Sequence, residues 1–111
     1  IPSISAPQPL VAVGDGDSVF YLEIIETPGH TAGHISVFDR VGGLLVAGDA
    51  LNGGGSSGVT GPNPRFTADL TAATASAVKL GGLAFETIDF GHGDPLEGGA
   101  SARVAVLAAT L

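Results

Sequence analysis

The chain reads as one small mixed α/β (α+β) domain with the element order β-β-β-β-α-β-α. Two observations predict it. In the first half, short runs rich in β-branched and aromatic residues are separated by breaks of Gly, Pro and Asp. In the second half the apolar period becomes helical in two places, with one further β-branched run between them. A length of 111 residues leaves room for a single domain.

The elements follow in order. Residues 9–13 (PLVAV) predict a short strand, closed by the turn Gly14-Asp15-Gly16-Asp17. Residues 18–26 (SVFYLEIIE) predict a second strand, which TPGHTAG breaks, and HISVF a third. Asp39-Arg40-Val41-Gly42-Gly43 has the length and glycine content of a hairpin loop, and LLVAG returns as the fourth strand. Residues 52–64 (NGGGSSGVTGPNP) are expected to form a flexible loop, too rich in Gly and Pro for a regular element. Leu70, Ala73, Ala77 and Leu80 then recur at helical spacing. Thr67 is the expected N-cap, Asp69 suits the first turn, and Gly81-Gly82 ends the helix. FETIDF is the fifth strand. After Gly98-Gly99, the residues Val104, Leu107, Ala108 and Leu111 make one face of a last helix.

Composition narrows the function. The absence of cysteine excludes disulfides and cysteine–zinc sites. Four basic residues against eleven acidic give a net charge of −7, which argues against nucleic acid and anionic membrane as partners, since both need clustered Lys or Arg. No apolar run is long enough for a transmembrane span and no signal peptide is evident, so a cytoplasmic location is expected. The first residue is Ile1 rather than Met, as expected of a processed or trimmed product. A mean hydropathy of +0.41 with only 14% charged residues is high for a small domain with a large surface to cover. One reading is an Ala- and Gly-rich composition, which raises hydropathy without large apolar side chains; the sharper reading is an apolar surface meant to be covered by something else.

Chemistry concentrates where strands meet loops. His30 follows the second strand, Asp49 the fourth (in AGDAL) and His92 the fifth (in FGHGD), while His34 opens the third. Strand ends bring side chains from distant parts of a chain together. Imidazole and carboxylate are the usual non-thiolate zinc ligands. Gly29, Gly33, Gly48, Gly91 and Gly93 flank the candidates. Taken singly, a strand-end histidine is more often a surface residue than a ligand, and Gly-Asp a turn pair; the combination is what stands out.

In that order, TPGHTAGH, AGDAL and FGHGDP resemble the C-terminal half of the metallo-β-lactamase-fold hydrolases, over nearly the whole chain. VGDGDSV, FTADL with its helix and LEGGA with its helix resemble the generic hydrolases of that superfamily often compared with glyoxalase II. The resemblance implies that His30 binds a first metal, that His92 binds a second, and that Asp49 bridges both as the catalytic carboxylate. It gives His34, and Thr31 beside it, supporting places next to the ligands. It implies two zinc ions, with iron or manganese as alternatives, and a metal-bound hydroxide that attacks the acyl or phosphoryl centre of a small-molecule substrate.

The family's signature His-x-His-x-Asp-His does not occur in the chain. The family fold is an αββα sandwich of two similar halves, so residues 1–111 are expected to be one C-terminal half-domain, inactive alone. Its partner would be the N-terminal half or a second copy, covering the apolar sheet face that raises the hydropathy. The alternative is a non-catalytic metal-binding or self-associating half-domain. A serine hydrolase is a weaker reading: Gly54-Gly55-Ser56-Ser57-Gly58 matches G-x-S-x-G, with Asp89 and His92 following, but strand and helix do not flank the serine. Asp15-Gly16-Asp17 lacks the later oxygen ligands of an EF-hand, and GGGSSG lacks the Gly-Lys-Ser/Thr of a P-loop.

Overall fold

The computed structural model describes residues 16, 18, 19 and 22–111. The strand expected at 9–13 and all of the turn at 14–17 except Gly16 lie outside them. The single strand expected over 18–26 is instead two antiparallel strands, β1 (Ser18–Val19) and β2 (Leu22–Glu26), with Ser18 opposite Glu23 and Val19 opposite Leu22. The run SVFYLEIIE is uniformly β-forming, so residue type gives no sign of a division within it.

Next come β3 (Ile35–Asp39) and β4 (Leu44–Gly48), joined by a turn in which the Gly42 N–H donates to the Asp39 carboxylate at 2.8 Å. The expected structureless loop contains a small hairpin, β5 (Asn52–Gly53) with β6 (Val59–Thr60), and a 3-10 turn at Pro64–Phe66. Val59, buried in the core, supplies the anchor that the glycines around it hide from a composition reading. Helix α1 (Leu70–Leu80) is capped by Asp69, not Thr67: the Asp69 carboxylate accepts from the Ala72 N–H at 3.0 Å. The Thr67 hydroxyl donates instead to the Asn63 carbonyl at 2.6 Å, within the preceding turn. After α1 come β7 (Thr87–Phe90), the short β8 (Leu96–Glu97), which the sequence did not signal, and α2 (Ala100–Ala108). Leu111 lies beyond the end of α2 rather than on its apolar face.

The main sheet has the order β1-β2-β3-β4-β7-β8. All neighbours are antiparallel except β4 and β7, which run parallel, with α1 in the connection between them. Register puts Phe38, Leu45 and Ile88 side by side on one face, where Ala77 and Leu80 of α1 and Ala100 and Val104 of α2 pack on them. Full burial of each large side chain stabilises the fold by about 1.5–3 kcal/mol. The opposite face carries Ile24, Val37 and Val46 in register, and among the described residues no helix packs there. Ile24 is buried and Val37 half-buried, while Val46 is 39% exposed. Among the described residues, no helix is long and apolar enough to cross a membrane.

Candidate functional site

The sheet topology brings the candidates to one edge. Strand β3 is antiparallel to both β2 and β4, and β4 is parallel to β7, so β2, β4 and β7 all point the same way. The loops that follow them, with His30, Asp49 and His92, therefore leave the sheet together, and β3 enters it at that edge just after His34.

Asp49 is the centre of the group. Its Oδ2 lies 3.3 Å from His30 Nε2 and its Oδ1 2.9 Å from His92 Nδ1. One carboxylate thus faces a different imidazole with each oxygen. The His30 and Asp49 side chains are about one-third exposed, while His92 is 78% exposed at the rim. The His30 and His34 rings stand edge to face, with centroids 6.4 Å apart.

Each loop is pinned from behind. The Pro28 carbonyl accepts from the Ser76 hydroxyl at 2.7 Å and the Gly29 carbonyl from the Asp69 N–H at 2.9 Å, which fastens the His30 loop to α1. The Gly91 N–H donates to the Gly48 carbonyl at 2.7 Å and the Gly53 N–H to the His92 carbonyl at 2.9 Å, which fixes the His92 loop between β4 and β5. Two glycines are required by this packing. Gly48 has a φ of +56°, and a Cβ there would stand 2.8 Å from His34 Nε2. A Cβ on Gly91 would overlap Asp49 Oδ1.

His34 lies in a hydrogen-bond series whose polarity is fixed by its ends. The Asp49 backbone N–H can only donate, so His34 Nε2 accepts from it, at 3.1 Å. The proton of a neutral imidazole then sits on Nδ1 and is donated to Thr27 Oγ1 at 2.9 Å. Thr27 Oγ1 in turn donates to Ser36 Oγ at 2.9 Å, and Ser36 Oγ to the Ala47 carbonyl at 3.3 Å. Partial burial holds the His34 pKa below its usual 6.5, helped by the nearby His30 and opposed by Asp49 and Thr27. The neutral form is the one this series needs.

The four sequence candidates His30, His34, Asp49 and His92 therefore meet. Thr31 does not join them through its side chain in the way expected: it is exposed, and its carbonyl closes the turn by accepting from the Gly29 N–H at 3.0 Å and the His34 N–H at 3.4 Å. The residue that supports His34 is Thr27, with Ser36 behind it. Both are buried. Ser36 stands out in the sequence as a hydroxyl residue inside the otherwise apolar run ISVF, whereas Thr27 lies just past β2, between Glu26 and Pro28. Ser56 sits in the β5–β6 hairpin, not between a strand and a helix, so the nucleophile-elbow context is missing.

The donor set is nitrogen and oxygen, the chemistry of non-thiolate metal sites. It is divided into two halves, one imidazole to each Asp49 oxygen. Among the described residues no group of three or more His, Asp or Glu side chains is arranged to close on a single ion. His30, Asp49 and His92 line a cavity of about 490 Å³ together with residues of the 52–67 segment.

Comparison with known proteins agrees. The family model described as the metallo-beta-lactamase superfamily matches residues 3–92. The chain is 38% identical over 109 residues to the probable metallo-hydrolase YflN of Bacillus subtilis, and 35% identical over 100 residues to YobT of the same organism. Those alignments cover 86% and 84% of this chain but only 41% and 43% of the relatives, so the chain spans about two-fifths of their length. Among solved structures, the metallo-beta-lactamase family protein TTHA1429 of Thermus thermophilus superposes with a TM-score of 0.68 at 27% identity, over 94% of this chain and 36% of its own. TTHA1623, solved in a di-iron-bound form, superposes with a TM-score of 0.65 at 29% identity, over 88% and 48%. By the reach of the family match and the identity to its relatives, this chain belongs to the metallo-beta-lactamase superfamily.

Proposed function

We propose that this chain is the C-terminal half of a metal-dependent hydrolase, in which His30 and His92 each hold one ion and Asp49 bridges the two. The observation that carries the reading is the Asp49 carboxylate, which turns one oxygen to each imidazole at the wall of a cavity. Zinc is the proposed ion; nitrogen and oxygen donors suit iron and manganese as well, and TTHA1623 carries iron. When bound, a metal pair supplies an activated water and polarises the acyl or phosphoryl centre to be cleaved.

The chain's own residues hold and orient. His34 accepts the Asp49 N–H and so sets the peptide from which the bridging carboxylate projects. Gly91, with no Cβ, leaves Asp49 Oδ1 free of steric conflict. The divided donor set and the two-fifths coverage of the relatives support a site completed by an N-terminal half, or by a second copy, packed on the Ile24–Val37–Val46 face. On this reading the isolated chain hydrolyses nothing at a useful rate.

Metal titration of purified protein tests the assignment. His30→Ala should abolish or strongly weaken binding, and His34→Ala should weaken it by about 10–100-fold, as for a residue acting through a ligand. Unchanged metal uptake in both His30→Ala and His92→Ala would overturn the ligand set.

A further inference from the structure

The wall that the 52–67 segment gives the cavity has a chemistry of its own. Phe66 is its largest side chain, and 71% of that residue is exposed. It is not exposed for want of order. The turn Pro64–Phe66 is capped by Asn63, whose carboxamide oxygen accepts from the Arg65 N–H at 2.9 Å. The Asn63 carbonyl accepts from both the Phe66 N–H at 3.1 Å and the Thr67 hydroxyl at 2.6 Å. The backbone that carries Phe66 is thus tied to Asn63, and the exposed ring lines the cavity.

Three polar neighbours of Phe66 on that wall donate to backbone carbonyls of the same segment. Asn52 Nδ2 donates to the Gly61 carbonyl at 3.3 Å, Thr60 Oγ1 to the Asn52 carbonyl at 3.4 Å, and Thr67 Oγ1 to Asn63 as above. No Lys or Arg lines the cavity among the described residues. Arg40 is paired with Glu23, and Arg103 donates to the Ser57 carbonyl; Arg65 shares the turn with Phe66 but is not on the cavity wall. The chain as a whole carries −7. A charged group would find no side-chain counter-charge on this wall. An apolar group would find a preorganised ring to cover.

We propose that Phe66 is a specificity-determining residue, and that it packs against an uncharged apolar acyl chain of a carboxyl ester or thioester substrate. This deepens the hydrolase reading and rests on it. It favours acyl over phosphoryl substrates: the negative charge a phosphodiester keeps would be met by the metals alone, with no Lys or Arg on this wall to share it.

Two measurements test the proposal, on this chain in the complete assembly that the hydrolase reading gives it. In the metal-loaded protein, kcat/KM is compared for p-nitrophenyl acetate, butyrate and octanoate, with bis(p-nitrophenyl) phosphate as the phosphoryl probe. In the metal-free protein, binding of octanamide is followed by NMR shift titration. Ester turnover should rise with chain length and exceed phosphodiester turnover. Phe66→Ala should lower kcat/KM for octanoate about tenfold more than for acetate, and Phe66→Leu should restore most of that difference. Octanamide should shift resonances at Phe66 and bind about tenfold more weakly to Phe66→Ala. Equal losses on acetate and octanoate, preference for the phosphodiester, or octanamide binding indifferent to Phe66 would each overturn the inference. If octanamide binds through Phe66 while no probe is hydrolysed by the metal-loaded protein, the hydrolase reading falls and the apolar subsite stands.

Discussion

Replacing Thr27 by Val changes almost nothing but hydrogen bonding. The two side chains are nearly isosteric, and Thr27 is only 1% exposed, so water cannot substitute for its hydroxyl. Two bonds are lost: the one Thr27 Oγ1 accepts from His34 Nδ1 and the one it donates to Ser36 Oγ. The Nδ1–H of His34 is then left without an acceptor in a part-buried position. An orphaned donor of that kind costs about 1–3 kcal/mol, and a central value of ~2 kcal/mol corresponds to a fall in Tm of ~8 °C for a domain of this size. Escape through the other tautomer fails, because an Nε2–H would face the Asp49 N–H, donor against donor. The assays are thermal unfolding and nitrogen chemical shifts of His34, which report the Nδ1–H tautomer in the parent protein. Thr27→Ser keeps the hydroxyl and should recover most of the loss. Thr27→Val melting within ~1 °C of the parent, with the His34 tautomer unchanged, would refute the assigned polarity of the series.

Two further outcomes are expected. Gly91→Ala should lower metal affinity by about 10–100-fold with little change in Tm, because its Cβ displaces the Asp49 carboxylate while Gly91 is not at a positive φ; metal titration beside a melting curve checks both halves. The Glu23 carboxylate accepts from Arg40 Nε at 2.8 Å and Nη2 at 2.9 Å, and these bonds hold its pKa below the usual 4.5. The unfolded chain therefore takes up that proton at a higher pH than the folded one, so the pair's contribution to stability is present above about pH 4.5 and is lost as pH falls through the lower folded value. Arg40→Gln should return the Glu23 midpoint towards 4.5 in an NMR titration; an unmoved midpoint would show that Arg40 is not the cause.

The mixed α/β class and the meeting of His30, Asp49 and His92 at one sheet edge were legible in the sequence; the pairing around them was not. His30, Asp49 and His92 were legible because each follows a β-branched run and is flanked by glycine, a local pattern that survives without knowledge of pairing. What failed was information held in long-range contacts. The division of β1 from β2 depends on antiparallel pairing within a run that is β-forming throughout. The β5–β6 hairpin depends on Val59 reaching the core across a glycine-rich stretch. Thr27 was passed over because its partner is seven residues away on the next strand, and only the register of β2 against β3 brings the two together. Asp69 displaced Thr67 as the helix cap because Thr67 was already committed to the turn before it.

The series from the Asp49 N–H through His34, Thr27 and Ser36 ends on the Ala47 carbonyl, two residues from where it starts. It is a ring closed through the backbone of one strand. Slipping β4 by one residue against β3 would move both ends of the ring away from their partners at once and turn Ser36 and Ala47 to opposite faces. The ring therefore acts as a latch on strand alignment. A misaligned chain would also part Leu45 from Phe38, and it could not present Asp49 to the two imidazoles. Appearance of the metal-binding signal during refolding would then date the moment at which the central strands come into register.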